Sequence, residues 1–248
     1  MTSAEKRLNL RNPSVRETEY YNERYSAGVG FRSRSGRYRQ FLKPLHIKRG
    51  GYLLEIGCGE GHLLRIAQER DLFCYGIDIS EEAVRLSLRQ RLDHSFCKVL
   101  VADGHALPFQ DGIFDYVMAI GTLEHFSDPR EGIREIIRVC RDEGKMCFVV
   151  PNSFGPLRKL GIYRGTEQAQ EKLATLSEWR QFLEENGMQI IYVGRDRGPD
   201  IFKNIRLRKI IQRLLLRMTV FMPLFMAYQF IFVCRKGKDN WSKTLDEE

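Results

Sequence analysis

Long apolar runs are scarce in this sequence of 248 residues. The uncharged stretch 218–233 is 16 residues long and contains Pro223, short of the ~20 apolar residues a membrane-spanning helix needs. The first twelve residues are polar and charged, so no signal peptide is expected. Six cysteines (Cys58, Cys74, Cys97, Cys140, Cys147, Cys234) form no CxxC pair and no zinc-like spacing. No metal site is therefore expected, and the cysteines read as small buried hydrophobes in a reducing compartment. Internal repeats and low-complexity tracts are missing too, as is the phosphate loop G-x-x-x-x-G-K-[ST], which removes the common NTPase reading. These absences lead to the expectation of an intracellular, cytoplasmic protein.

Charge is present in excess but unevenly. The formal charge of +8 is concentrated in two segments. Residues 1–50 hold twelve Lys/Arg against four Asp/Glu, and residues 197–217 hold seven basic residues against Asp200 alone. The tail from 218 is neutral, so the body, residues 51–196, is acidic. Two basic segments on an acidic body suggest an anionic partner at those segments.

Between them the chain alternates short apolar runs with helical patterns. Strands are expected at 52–56, 74–78, 98–101, 116–120, 145–150, 188–193 and 228–233. Helices are expected at 62–69 and at 81–91, the latter capped by Ser80. Another opens at Asp128-Pro129, with its stripe on Ile133, Ile136, Ile137 and Cys140 and its stop at Gly144. The last covers 178–186, opened by the capping-box spacing of Thr175 and Glu178 and stopped by Gly187. This order implies an α/β fold, doubly wound around a mostly parallel seven-stranded sheet, with a helical insertion before the last strand. The organisation read from it is a basic N-terminal lid segment (1–50), a catalytic domain (51–236) with insertions 152–174 and 196–227, and a polar tail (237–248).

The sharpest signal lies between the first strand and the first helix: Glu55-Ile56-Gly57-Cys58-Gly59-Glu60-Gly61. Glycines there let the backbone turn tightly and approach a ligand. Asp78 ends the second strand, where a carboxylate can accept from ribose hydroxyls; capping the next helix is the alternative, and Ser80 is the better cap. A dinucleotide fingerprint would need a small residue at position 62, which is His62. The glycines fall instead at 57, 59 and 61, a spacing suited to a ligand without a pyrophosphate.

With Asp103 added, these residues resemble class I S-adenosylmethionine-dependent methyltransferases. Segments Val101-Ala102-Asp103-Gly104-His105-Ala106-Leu107-Pro108-Phe109 and Thr122-Leu123-Glu124-His125-Phe126-Ser127-Asp128-Pro129 are similar to the group of small-molecule and ubiquinone-pathway methyltransferases. The likeness runs from about residue 52 to 151 and more loosely to 236. It implies S-adenosyl-L-methionine as cofactor and a role for each matching residue. Gly57, Gly59 and Gly61, with Cys58 in the same loop, would line the methionyl part, and Glu55 would hold the loop and reach the cofactor's amino group through water. Asp78 would hold the ribose and Ile79 would pack on adenine. Asp103 would accept from the adenine amine, with the N–H of Gly104 or His105 near the ring nitrogen. Ala119 and Ile120 would offer carbonyls to the methionyl ammonium. His62 departs from the family's smaller residue and reads as a solvent-facing helix start.

The acceptor side is less specific. Methyl transfer from a sulfonium is an in-line displacement that needs alignment and water exclusion more than a base. His125 is the candidate base, with a structural role as the alternative. Tyr20, Tyr21 and Tyr25 are candidates to line the acceptor pocket from the N-terminal segment, or else pack their rings on the body. On 205–218, Leu207, Ile210, Ile211, Leu214, Leu215 and Met218 share a helical face opposite Arg206, Lys209, Arg213 and Arg217. Such a helix either packs on the domain or makes peripheral contact with an anionic membrane, here at the inner face. If strand 188–193 runs parallel to the central strands, the connection after it leaves at their carboxyl edge, beside the cofactor. The function expected is methyl transfer to a small-molecule acceptor, anionic or lipid-linked. An RNA methyltransferase, suggested by Arg32, Arg34, Arg37 and Arg39 among aromatics, and a non-catalytic S-adenosylmethionine-binding module are the alternatives; no Asp/Asn-Pro-Pro-Tyr or Pro-Cys motif supports nucleic acid.

Overall fold

A computed structural model describes residues 13–28, 38–89, 93, 95–153, 171–196 and 223–237. Seven strands form one sheet: β1 (Tyr52–Ile56), β2 (Phe73–Asp78), β3 (Cys97–Val101), β4 (Phe114–Ile120), β5 (Cys140–Pro151), β6 (Met188–Arg195) and β7 (Gln229–Lys236). The helices are α1 (Pro13–Ser26), α2 (Arg39–Leu42), α3 (His62–Gln68), α4 (Glu81–Leu88), α5 (Pro129–Val139) and α6 (Leu176–Glu185). Strand order is β3-β2-β1-β4-β5-β7-β6. The first five strands are parallel, and β7 runs antiparallel to both β5 and β6. The order reverses at β1 and β4, so the crevice outside their carboxyl ends is the switch point where such sheets bind ligands.

Alternation along the strands feeds two cores, because successive side chains point to opposite faces. Leu54, Phe148 and Phe232 pack with Ile133, Ile136 and Ile137 of α5 and Trp179 and Leu183 of α6. Leu53, Val149 and Val233 pack on the other face with Leu42 of α2 and Leu63 and Leu64 of α3. All six cysteines are buried. Burial pushes the thiols of Cys97, Cys140 and Cys147 up to about 12, which makes them packing groups and poor nucleophiles.

Element boundaries follow caps where local chemistry is strong. Ser80 accepts from the Ala83 N–H, and Thr175 and Glu178 complete a capping box. The end of α5 differs from the sequence expectation. The helix stops at Val139, and Cys140 already belongs to β5, paired with Phe114. The N–H groups of Gly112 and Ile113 donate to the carbonyls of Arg138 and Val139 at 2.9 Å, so pairing with the incoming β4 takes the acceptors that would have continued the turn. Gly144 lies inside β5, where the register slips between Phe114 and Tyr116. Strand β6 runs parallel to the central strands, so the chain after it leaves at their carboxyl edge; the segment 205–218 lies outside the described residues.

Candidate functional site

At the end of β1 the chain turns through residues 57–61 into α3. Gly57 and Gly59 have φ of 64° and 52°, the left-handed region that side chains with a Cβ avoid. Space is as restrictive. A Cβ on Gly57 would lie 2.6 Å from Thr122 Oγ1, and one on Gly59 would lie 2.7 Å from the Tyr25 hydroxyl oxygen. The loop is thus held between the turn after β4 and helix α1. Thr122 donates its hydroxyl to the Ile56 carbonyl at 3.1 Å. The Cys58 N–H donates to the Ile77 carbonyl, and Glu55 is fully buried behind the loop.

Asp78 sits at the end of β2, nearly buried. Its Oδ2 accepts from the Gly59 N–H at 2.8 Å and its Oδ1 from the Ser80 N–H at 3.0 Å. Since Ser80 caps α4, Asp78 is the brace of the glycine loop, and a carboxylate offers about four acceptor sites in all. After β3, Asp103 Oδ1 accepts from the His105 backbone N–H at 2.9 Å and meets ring Nδ1 at 2.6 Å. That hydrogen bond holds the Asp103 carboxyl below its ordinary range and the His105 imidazole above its own. The Asp128 N–H points at His105 Nε2, which fits the tautomer protonated at Nδ1. The loop is clamped from α5: Arg138 donates to the carbonyls of Leu107 and Phe109 and to the Glu135 and Asp111 carboxylates. Glu135 in turn accepts from the Leu107 N–H at 2.7 Å.

Helix α1 lies across the mouth. Asn22 accepts from the Ser80 hydroxyl at 2.7 Å and from the Glu82 N–H, tying the helix to the start of α4. Glu17, Tyr21 and Tyr25, one turn apart, line the cleft together with Gly57, Asp78, Ile79, Asp103, Gly104, His105 and His125. Burial drives the Tyr21 phenol well above its ordinary pKa. Tyr20 is not among the lining residues; its hydroxyl accepts from Arg24 at 3.0 Å.

This cleft brings together a glycine loop, a β2-end carboxylate and a β3-end carboxylate at the switch point. Residues 54–148 match the family model described as Methyltransferase domain. Residues 54–148 thus form a methyltransferase domain of the class I, S-adenosylmethionine-dependent type. The chain is similar to 27-O-demethylrifamycin SV methyltransferase of Amycolatopsis mediterranei, 30% identical over 153 residues that cover 58% of this chain and 56% of that protein. It is also similar to ajmaline N-methyltransferase of Rauvolfia serpentina, 38% identical over 97 residues, 37% of this chain and 33% of that one. The chain thus spans about half, or less, of the length of these curated relatives. In fold it resembles a methyltransferase solved in complex with the Haloferax volcanii Trm112 methyltransferase activator, with a TM-score of 0.64 at 18% identity over 81% of this chain and 88% of that one.

Within the methyltransferase domain several expected site residues stand behind the cleft wall rather than on it. Glu55, Cys58, Gly59 and Gly61 shape the loop, while Gly57 faces the cleft. Ala119 and Ile120 do not line the cleft either. Both are buried and still paired in the sheet, Ala119 with Ile56 and Phe148 and Ile120 with Val149. The chain leaves the ladder only at Gly121, so Gly121 and Thr122 form the wall after β4. His62 requires a correction: it faces Glu60 at 3.2 Å and the Tyr38 ring, with its side chain mostly covered. His125 lines the cleft with Glu124 Oε1 3.9 Å from its Nε2. Sequence reasoning missed Glu17 and the Glu135–Arg138 clamp. The spacing of 17 with 21 and 25 was there to see; the clamp joins residues some thirty apart and has no local signature.

Proposed function

We propose that this chain binds S-adenosylmethionine along the cleft and transfers its methyl group to a small-molecule acceptor. The observation that carries the reading is the set of hydrogen-bond acceptors and apolar walls in the cleft. Asp78 and Asp103 stand where hydroxyl and amine donors of a nucleoside would need acceptors, and Ile56, Ile77, Ile79 and Phe126 supply apolar walls for its base. No lysine or arginine lines the cleft among the described residues. That suits a cationic sulfonium and gives a pyrophosphate nothing to pair with.

The residues fit the cofactor, and its role when bound is to supply the electrophilic methyl group. The glycine loop and the turn at Gly121-Thr122 hold the methionyl part, and Asp78 holds the ribose. Helix α1 covers the mouth with Tyr21 and Tyr25 and excludes water. His125, beside Thr122 on the wall after β4, takes the proton of an acceptor that must lose it early, and Glu124 stabilises the imidazolium that results. The acceptor reading, anionic or lipid-linked, is supported by the basic segments at 1–50 and 197–217 that flank the acidic body.

The test is radiolabelled methyl transfer from S-adenosylmethionine into fractionated lipid, small-molecule, RNA and protein pools. Label in a lipid or small-molecule pool is the expected result. Label confined to RNA would overturn the acceptor class, and cofactor binding without transfer to any pool would leave a binding module.

A further inference from the structure

Helix α1 does more than cover the cleft. Glu17, Tyr21 and Tyr25 are spaced one per turn, and at 1.5 Å per residue they span about 12 Å. Parallel strands lie about 4.8 Å apart, so β1 to β3 is about 10 Å. The helix therefore crosses the strand ends. Tyr25 lies over the β1 loop at Gly59, and Glu17 reaches the β3 loop, where the charges of Asp103 and His105 act on it. Glu17 Oε1 is buried and has no hydrogen-bond partner among the described residues. A buried carboxylate oxygen without a donor is destabilising, and its neighbour Asp103 is an acceptor as well. A donor on the ligand is what this corner lacks.

We propose that Glu17 accepts a hydrogen bond from the exocyclic amine of the cofactor's adenine, so that the lid reads the base. The inference rests on the cofactor reading above. An exocyclic amine carries two N–H groups. Asp103 has Oδ1 engaged twice by His105, which leaves its Oδ2 for one of them; Glu17 takes the other from the opposite side. Two acceptors around one amine also select against a base with a carbonyl at that position, whose oxygen would face two carboxylates. Burial already lifts the Glu17 pKa, so an arriving donor relieves a carboxylate that burial leaves poorly solvated.

The experiment compares S-adenosylhomocysteine with its deaminated analogue, S-inosylhomocysteine, by calorimetry on wild type, Glu17→Ala and Glu17→Gln. Wild type should prefer the amine strongly. Glu17→Ala should lose roughly tenfold in S-adenosylhomocysteine affinity, about the value of one charge-assisted hydrogen bond, and the preference for the amine should shrink by the same factor. Glu17→Gln keeps an acceptor oxygen and should fall between. Hydrogen exchange supplies a second reading: S-adenosylhomocysteine should protect the amides of α1 in wild type and less so in Glu17→Ala. An unchanged preference in Glu17→Ala, with normal folding and tight S-adenosylhomocysteine binding, would overturn the role of Glu17 and leave the cofactor reading standing. Failure of wild type to bind S-adenosylhomocysteine at all would overturn both.

Discussion

Alanine at position 57 would place its Cβ 2.6 Å from Thr122 Oγ1 on a backbone with φ of 64°. Two costs then add: left-handed strain of ~1–2 kcal/mol and a clash with a side chain whose hydroxyl is bound to Ile56. Gly57→Ala should therefore weaken S-adenosylhomocysteine binding at least tenfold in calorimetry. Adding Thr122→Ala removes Oγ1 and Cγ2 and should restore part of the loss, since contacting residues couple; full additivity would show that the clash is unimportant. Asp103 and His105 make a second prediction at this scale. The imidazole, raised by its hydrogen bond to Asp103, contributes stability that is complete below its ordinary 6.5 and fades as pH climbs through the raised value. The carboxylate, lowered by the same bond, contributes above its ordinary 3.8 and loses it as pH falls through the lowered value. Denaturation of wild type and Asp103→Asn should thus differ most near pH 5, and the gap should narrow as pH climbs through the raised imidazole value to the part that the carboxylate alone contributes. A gap of constant size would mean that the pair does not titrate as a unit.

Helix α5 acts on the site without touching the cleft through Arg138, whose guanidinium binds two carbonyls and two carboxylates around the 107–111 loop. Hydrogen bonds to a charged group are each worth about 1.5–3 kcal/mol, and their loss overlaps because water replaces some. Arg138→Ala should cost about 2 kcal/mol and lower the Tm by about 4–8 °C, and hydrogen exchange should accelerate in residues 103–111. Cofactor affinity should fall as well, because the loop carries Asp103 and His105. A variant that melts like wild type would show that Leu107 and Phe109 hold the loop by packing alone. The same helix shows where periodicity misleads. The stripe of Ile133, Ile136 and Ile137 continues to Cys140 at helical spacing, yet Cys140 is in β5. The carbonyls of Arg138 and Val139 are claimed by Gly112 and Ile113, partners no local pattern names. By contrast the starts of α4 and α6 were legible, since Ser80 and the Thr175–Glu178 pair act within three residues of the boundary.

Across the whole molecule the charge divides into an acidic body and two basic segments, and β6, parallel to the central strands, brings the chain to their carboxyl edge shortly before the second of these begins. Reversing Arg206, Lys209, Arg213 and Arg217 to glutamate should abolish sedimentation with anionic vesicles at low salt, where each basic residue contributes about 1 kcal/mol, and leave cofactor affinity unchanged. If wild type ignores such vesicles at low salt, the membrane contact fails and a soluble anionic acceptor is the better reading. Among the described residues no helix is long and apolar enough to cross a membrane. Strand periodicity, glycine spacing and caps were enough to give the doubly wound sheet, the loop at 57–61 and Asp78 at the end of the second strand, because each depends on neighbours within a few positions; Asp103 was singled out only by the resemblance to the methyltransferase family. Folding settled what depends on distant partners. Pairing through Ile120 moved the wall from Ala119 and Ile120 to Gly121 and Thr122. Thr122 made Gly57 obligatory, and α1 carried Glu17 over a loop more than eighty residues away in the chain. Contacts of that range arise from how helices pack and strands register, and a single sequence gives no local sign of them.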